Sequence, residues 1–570
     1  MKKYYIAFVV VYLLCLNSGR GQSQVQAQQP TDTTTALPQL EIPEITIVGK
    51  KAITLPFARK GEIYDVNIFQ APPPDSSLLG ERLATAMPVG LMPRDEEKRV
   101  PLHASVEGAF GSFSSGKLRA YLDYEKGRWN FSGNTGFVST EGHVDNSNGT
   151  SFDLGLNAQT LISTDNDILK TLRFSSGISL SAEKYGMFAF SDVKRSRSNF
   201  TVNTSLASLD RRGIAIDLGL ETKFTGVTDS DPNNELKIST VSPKLTSAVA
   251  MNIGKARWTT NVAFNSISLD YSTPTQSVTL FDITSSAHWQ LAEIWSATLG
   301  FVFNNGSDYA GTTRTLALPT ASIEWKSGNE QYVTFWWRPK MQMNSYDYWT
   351  AYNPYLFREL PLQPEREPIN LGVSFAMSTQ MFNINASLSY SEFSNKSVII
   401  HPLQEDSLPA PSLSASSNRA LLLTYFEASQ TRFEINAVYK PTEKLRLSLL
   451  GCVQPTYATG LNDQLPMTPL ITVNAKIEYD LPKLITLWAS VDSWSNQNAI
   501  LSTTTTLLYS TQPTTIDGAA LLNIGASTTI VPRTELSVFI HNVLDQSYDW
   551  WANYRAPGLQ FSLEAKVNLK

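Results

Sequence analysis

The chain has 570 residues, 42% hydrophobic, 17% charged and 11% aromatic, with a formal charge of -5 and a mean hydropathy of -0.16. Its 26 Phe, 22 Tyr and 12 Trp exclude a disordered chain, which has few aromatics and a high net charge. A helical membrane bundle needs several apolar runs of about 18 residues or more, and the longest clean run here is Ile6 to Leu16. What remains is a large soluble protein or a β-barrel, whose membrane signal is weak in each strand. At roughly 150 residues per domain the length suggests about four soluble domains, but no break in composition divides the chain.

Lys2 and Lys3 precede the apolar run, and Asn17 to Gln22 follow it with small and polar residues, which predicts a secretory signal peptide over residues 1–21, with cleavage after Ala27 as the alternative. Cys15 is a poor lipidation site because Leu14 stands where a small residue is wanted. Cleavage at Gly21 removes Lys2, Lys3 and Arg20, taking the charge from -5 to -8 and leaving Cys452 as the only cysteine. An exported protein with one thiol has no internal disulfide, so its stability has to come from elsewhere, such as a large closed sheet. A net acidic exported chain also argues against a nucleic-acid partner.

Residues 22–43, rich in Gln, Thr and Pro, read as a flexible linker. Glu44-Ile45-Thr46-Ile47-Val48-Gly49 is a short β-branched run with no partner nearby, suited to adding itself to an exposed sheet edge. Residues 50–99 contain Pro72 to Pro74, a short amphipathic helix expected at Ser77 to Ala86, and the charge cluster Arg94 to Arg99, the composition of linker and solvated surface.

From residue 100 to 570 the period is two. Leu102, Ala104, Val106, Gly108 and Phe110 alternate with His103, Ser105, Glu107, Ala109 and Gly111. Leu118, Ala120, Leu122 and Tyr124 alternate with Lys117, Arg119, Tyr121 and Asp123. An extended chain puts each set on its own face. Tight connections at Ser114 to Gly116 and Lys126-Gly127 make an antiparallel meander. A soluble sandwich also alternates, with its apolar faces packed together; a transmembrane barrel turns its apolar face to lipid and its polar face to a lumen. The unbroken meander exceeds what one sandwich needs, and its polar face carries rows of Lys, Arg, Asp and Glu, as a wet lumen tolerates. Trp336-Trp337, Tyr346 to Trp349, Trp550-Trp551 and Tyr554 lie at expected strand ends, where interfacial girdles sit. The expectation is an all-β, transmembrane, antiparallel up-and-down barrel of roughly 20 to 23 strands, so an even number near 22. Its terminal strand, with Leu559, Phe561, Leu563, Ala565, Val567 and Leu569 on one face, would close the barrel against the first and abolish the edge.

Three blocks carry a family resemblance. Glu44 to Gly49 resembles the TonB box of TonB-dependent outer-membrane receptors. His541 to Tyr548 followed by Ala556 to Phe561 resembles the family's C-terminal ending, with Leu559 where Arg is usual and Leu569-Lys570 in place of a terminal aromatic. Leu362 to Val373 and Leu465 to Val473 resemble its mid-barrel and later Pro-containing segments. The resemblance implies a location in the outer membrane of a Gram-negative bacterium, surrounded by lipid, and a partnership in which a TonB-type energy-transducing protein captures the box by strand addition. It further implies uptake of a scarce ligand such as an iron chelate, cobalamin or an oligosaccharide. The family's globular plug has only residues 50–99 to stand for it here, a short plug remnant or a periplasmic linker. The alternative is therefore a plugless pore, or a structural barrel subunit of an outer-membrane complex, occluded by a partner.

Catalytic chemistry is not legible, and no enzyme, cofactor or metal site is expected. His103, His143, His288, His401 and His541 are scattered, and no GxSxG elbow occurs. Asp229-Ser-Asp231-Pro-Asn233 begins like a calcium loop, but Asn234 and Thr240 stand where Gly and a bidentate Glu are needed. Trp336, Trp337, Arg338 and Tyr348 read as an external binding platform or, more simply, as girdle and loop packing. The ligand-binding residues are not readable.

Overall fold

The computed structural model describes residues 102–569 except 145–146, 165–170, 187–192, 210–212, 231–234, 271–275, 329–330, 355, 358, 401–420, 460–463, 482–484, 500–514 and 552–553. The signal peptide, linker, TonB-box-like segment, the helix at 77–86 and the rest of residues 50–99 lie outside the described residues, as does His401.

The strands form one closed antiparallel sheet of 22. A twenty-third segment, Thr456–Ala458, continues Leu445–Val453 along the same neighbour, Leu422–Thr442. The first strand, β1 (Leu102–Gly111), pairs with Ser115–Lys126 on one side and with the terminal strand Gln560–Asn568 on the other, Val106 opposite Val567 and Phe110 opposite Leu563. That pairing leaves no free edge. The first hairpin turns at Ser112 to Ser114, two residues before Ser114 to Gly116, with Phe113 and Ser114 at positive φ; the second turns at Gly127.

Side-chain direction separates the two faces. Phe110, Leu118, Phe137, Leu156, Ile178, Leu220 and Leu299 point outward and are exposed, as an apolar band in lipid requires. Inward lie pairs such as Asn474 with Asp492, and Lys476 with Glu478 at 2.8 Å. At the β1 seam Lys117 sits between Glu107 and Glu564. No helix among the described residues is long and apolar enough to cross a membrane; strands do the crossing.

The ends differ. One end has brief connections, at Lys126–Trp129, Ile253–Ala256, Ala292–Trp295, Thr442–Leu445 and Val531–Thr534. The other has the long ones, among them those between Trp337 and Ile369, Ile400 and Leu422, Trp494 and Ala519, and His541 and Gln560. Outer-membrane barrels keep short turns in the periplasm and long loops outside, so the long-loop end is the extracellular mouth.

Near that mouth the alternation inverts. In Ala256–Asp270 the outward residues change from Val262 and Phe264 to Ser266 and Ser268, while inward Ile267 and Leu269 are completely buried. In Glu235–Ile253 outward Lys237 and Ser239 flank inward Ile238, and in Ala215–Ser230 inward Val227 is buried. The outer face becomes polar where strands rise above the lipid. The inner face becomes apolar because something fills the lumen there.

Candidate functional site at the extracellular mouth

The filling is the segment between Trp337 and Ile369, which folds inward. Its two arms, Lys340–Gln342 and Glu365–Glu367, pair as a ribbon, and its apex is a short helix, α1 (Tyr346–Tyr352). Ser345 caps the helix, its hydroxyl accepting the Tyr348 N–H at 3.1 Å. The Asn353 N–H closes the other end on the Trp349 carbonyl at 2.9 Å. A helix of two turns is marginal alone, so packing holds it. Tyr346 and Trp349 are buried in one cluster with Leu356, Leu360 and Leu362.

That cluster spans the mouth. It takes Tyr185, Val227, Ile238, Ile267 and Val278 from the six strands between Thr171 and Ala292, and Ile399, Leu423, Trp494, Ala519 and Leu521 from the six barrel strands between Phe382 and Val531. In a ring of 22 these two sets face each other across the lumen. The ring closes at about 40 Å across, given strands about 4.8 Å apart and tilted by about 40°.

Polar contacts fix both sides. Arg195 and Asp229 are cross-strand partners, and the guanidinium grips the carboxylate with two bonds, Nε to Oδ1 at 2.6 Å and Nη2 to Oδ2 at 2.8 Å. The remaining Nη1 donates to the carbonyls of Pro354 and Leu356 at 2.9 and 3.1 Å. Complete burial opposes the charge on Arg195, but the Asp229 carboxylate outweighs it and holds the guanidinium above its ordinary pKa. Arg197 adds a bond to Asp347 at 2.5 Å. On the opposite wall the Phe357 N–H donates to the Leu421 carbonyl at 2.8 Å, and the Gln363 N–H donates to the Tyr425 hydroxyl at 3.0 Å. The ribbon is tied to the neighbouring strand by Glu365, which accepts the Ser397 N–H at 2.9 Å, and by Asn395, which accepts the Arg366 N–H at 2.9 Å.

Little space is left at this level. A cavity of about 40 Å³ lies among Trp349, Tyr352, Lys396, Gln454, Met467 and Trp551, room for one or two waters. The Gln454 side-chain carbonyl there has no hydrogen-bond partner among the described residues. At the short-turn end, by contrast, an open concavity of about 520 Å³ is lined by His103, Tyr121, Asp123, Asn134 and Asn568.

Several sequence expectations are corrected by this arrangement. Tyr346, Trp349 and Trp551 are not an interfacial girdle; they are buried in the in-folded layer, with Tyr352 against Trp551 at 5.8 Å. Tyr348 stacks on Tyr352 and is not on an external platform. Trp336 points into the lumen, its indole N–H donating to Asn370 at 3.2 Å. Asp229 is committed to Arg195, and residues 231–234 of the calcium-like loop lie outside the described residues, as do the side chains of Trp550 and Tyr554. Among the described residues no three His, Cys, Asp or Glu side chains gather as a metal site needs. Sequence reasoning missed Arg195; the inverted alternation at Ile267 and Leu269 signals a filled mouth but not this residue.

No family model and no curated protein matches the sequence. Solved structures do match in shape. The copper transporter OprC aligns with a TM-score of 0.63 at 10% identity over 82% of each chain. The FrpB iron transporter from Neisseria meningitidis aligns with a TM-score of 0.64 at 10% identity, again over 82% of each. The ferric yersiniabactin uptake receptor FyuA from Yersinia pestis aligns with a TM-score of 0.59 at 11% identity over 82% of this chain and 80% of that one. The described barrel therefore has the fold of the TonB-dependent outer-membrane receptors.

Proposed function

We propose that the protein takes up a solute across the outer membrane of a Gram-negative bacterium, energised by a TonB-type protein that captures Glu44 to Gly49. The observation that carries this reading is a closed 22-strand barrel whose polar lumen is covered at the mouth. A general porin of this width would hold a free aqueous channel, whereas a covered mouth suits a receptor that admits a chosen ligand. The fold neighbours named above are transporters and an uptake receptor for copper, iron and ferric yersiniabactin, which favours a metal or its chelate as cargo. No catalytic step is needed.

The second reading is a plugless pore or structural barrel subunit occluded by a partner; the shortness of residues 50–99 favours it. Deleting Glu44 to Gly49 separates the two. The receptor reading expects the deletion to abolish co-purification with the periplasmic domain of TonB and to stop growth dependent on the cargo. Unchanged TonB binding and unchanged uptake after the deletion would sink it in favour of the second.

A further inference from the structure

We propose that the outer wall of four consecutive strands, Thr171–Gly186, Lys194–Ser208, Ala215–Ser230 and Glu235–Ile253, binds the phosphorylated sugar headgroup of an outer-leaflet glycolipid through Lys184, Lys194 and Lys237. The site goes beyond the uptake reading and does not depend on it; it needs only a barrel that crosses the outer membrane.

Register builds the site rung by rung on the outer face. Leu180, Phe200, Phe224 and Val241 follow one another across the four strands. All four are exposed, with Phe200 against Phe224 at 6.0 Å, and they close the apolar band at its top. Two residues higher comes a rung of small side chains, Ala182, Ser198, Gly226 and Ser239, which forms a shelf. The next rung is Lys184, Ser196, Thr228 and Lys237, two ammonium groups with two hydroxyls between them. Lys194 stands one rung above, opposite Ser230. The three lysines are exposed, and none pairs with a carboxylate among the described residues. No other lysine or arginine of the described barrel strands points outward at this end. Two carboxylates border the patch, Glu235 above Lys237 and Asp270 beside Ser239, so the excess of positive charge lies toward Lys184 and Lys194.

Height and chemistry agree. Lys184 and Lys237 lie four residues beyond Leu180 and Val241, ~13 Å along strands tilted by about 40°, and therefore about 10 Å nearer the exterior. The headgroup layer on one side of a bilayer is roughly 5–8 Å deep, and a lysine stem lying along the wall brings its ammonium down into it. Three strand spacings, about 14 Å, separate Lys184 from Lys237. A sugar headgroup resting on the shelf would present its phosphates to these lysines, with its acyl chains descending over Phe200 and Phe224. The ammonium groups bind phosphate as point charges, and the Ser196 and Thr228 hydroxyls add donors. A free phosphate ion would meet the same groups, but the shelf and the apolar rung beneath it serve only a ligand that carries chains.

The test uses the full chain folded in detergent and native mass spectrometry with three probes: bis-phosphorylated lipid A, the same lipid without its phosphates, and inorganic phosphate. Lys184→Gln, Lys194→Gln and Lys237→Gln together should weaken binding of the phosphorylated lipid at least ~10-fold. Lys184→Arg, Lys194→Arg and Lys237→Arg together should preserve it, and the phosphate-free lipid should bind the parent no better than it binds the glutamine variant. Lys223→Gln, which removes a lysine from the lumen side of the same wall, should leave binding unchanged. Heat-modifiable migration checks that each barrel is folded. Equal binding of the phosphorylated lipid by the parent and the glutamine variant overturns the site, as does equal binding of the lipid with and without phosphates. Inorganic phosphate bound as tightly as the lipid overturns it in favour of the free ion. A barrel that transports nothing would give the same lipid binding, so failure of the uptake reading and failure of the site are distinguishable.

Discussion

Arg195 and Asp229 face each other across one rung of the sheet, and the guanidinium binds both carboxylate oxygens, at 2.6 and 2.8 Å, while holding two carbonyls of the loop that crosses the mouth. Both side chains are almost wholly buried, 2% and 1% exposed. The pair is therefore a pre-set fork, with Asp229 orienting the planar group so that Nη1 points at Pro354 and Leu356. Lys offers a point charge instead of a fork. We expect Arg195→Lys to weaken the closed segment by about 1–2 kcal/mol through the lost carbonyl bonds. Arg195→Met should cost about 3–5 kcal/mol because it strands a buried carboxylate. Chymotrypsin added to intact cells should cleave after Tyr348, Trp349 or Tyr352 slowly in the parent, faster in Arg195→Lys and fastest in Arg195→Met. Equal resistance in all three would show that the fork holds nothing.

The barrel was legible because lipid and lumen impose a period of two on every crossing strand; Leu102 to Phe110 and Leu118 to Tyr124 display it without help from context. The mouth was not legible in the same way. Tyr346 to Trp349 looks like a girdle by composition, and only its placement under Val227 and Ile267 makes it a buried helix. The contact from Arg195 to Pro354 crosses 159 residues, a separation that periodicity carries no information about. The inverted stretch Ser266-Ile267-Ser268-Leu269 was nonetheless visible. It marks both where the lipid ends and where the lumen is filled.

Glu367 makes the stability of the fold sensitive to pH. It lies on the ribbon two residues before Ile369, whose cross-strand partner Glu392 has an outward, exposed charge that marks this height as above the lipid. Burial raises the Glu367 carboxyl above the ordinary value of 4.5, opposed by Lys340 at 3.5 Å, by Ser391 and by Lys396, while Glu365 adds to the rise. The folded chain therefore holds this proton more tightly than the unfolded one. Its contribution to stability is largest below the ordinary value and is lost as pH rises through the raised one. The urea midpoint should carry a contribution from this group that is larger at about pH 5 than at about pH 7.5. Glu367→Gln should flatten this difference. A pH dependence unchanged in that variant would assign it to another group.

Two inward tryptophans depend on glycine partners. Trp488 is registered opposite Gly525 and Trp336 opposite Gly372, and in each pair the indole lies where a glycine Cβ would be. Lys476 sits over the Trp488 ring at 5.2 Å, so turning the ring away also loses that contact. Gly525→Ala should destabilise the barrel by roughly 1–3 kcal/mol, the usual cost of overpacking. Trp488→Ala in the same chain should recover most of it, a coupling read from urea midpoints in a double-mutant cycle. Additive effects would show that the indole adjusts freely.

The division between lipid and lumen makes the sharpest contrast at neighbouring positions. Ile178 is outward, 43% exposed, and pairs with Leu156 and Val202; Ser179, the next residue, faces the lumen. Ile178→Arg puts a charge into hydrocarbon and should cost up to about 2–4 kcal/mol. Ser179→Arg meets water and polar side chains and should change stability by less than about 0.5 kcal/mol. Both are read from urea-induced unfolding in lipid vesicles. Because register fixes the face, a one-residue slip of Thr171–Gly186 would exchange the two results. Finding Ser179→Arg the costlier variant would therefore overturn both the register and the transmembrane assignment.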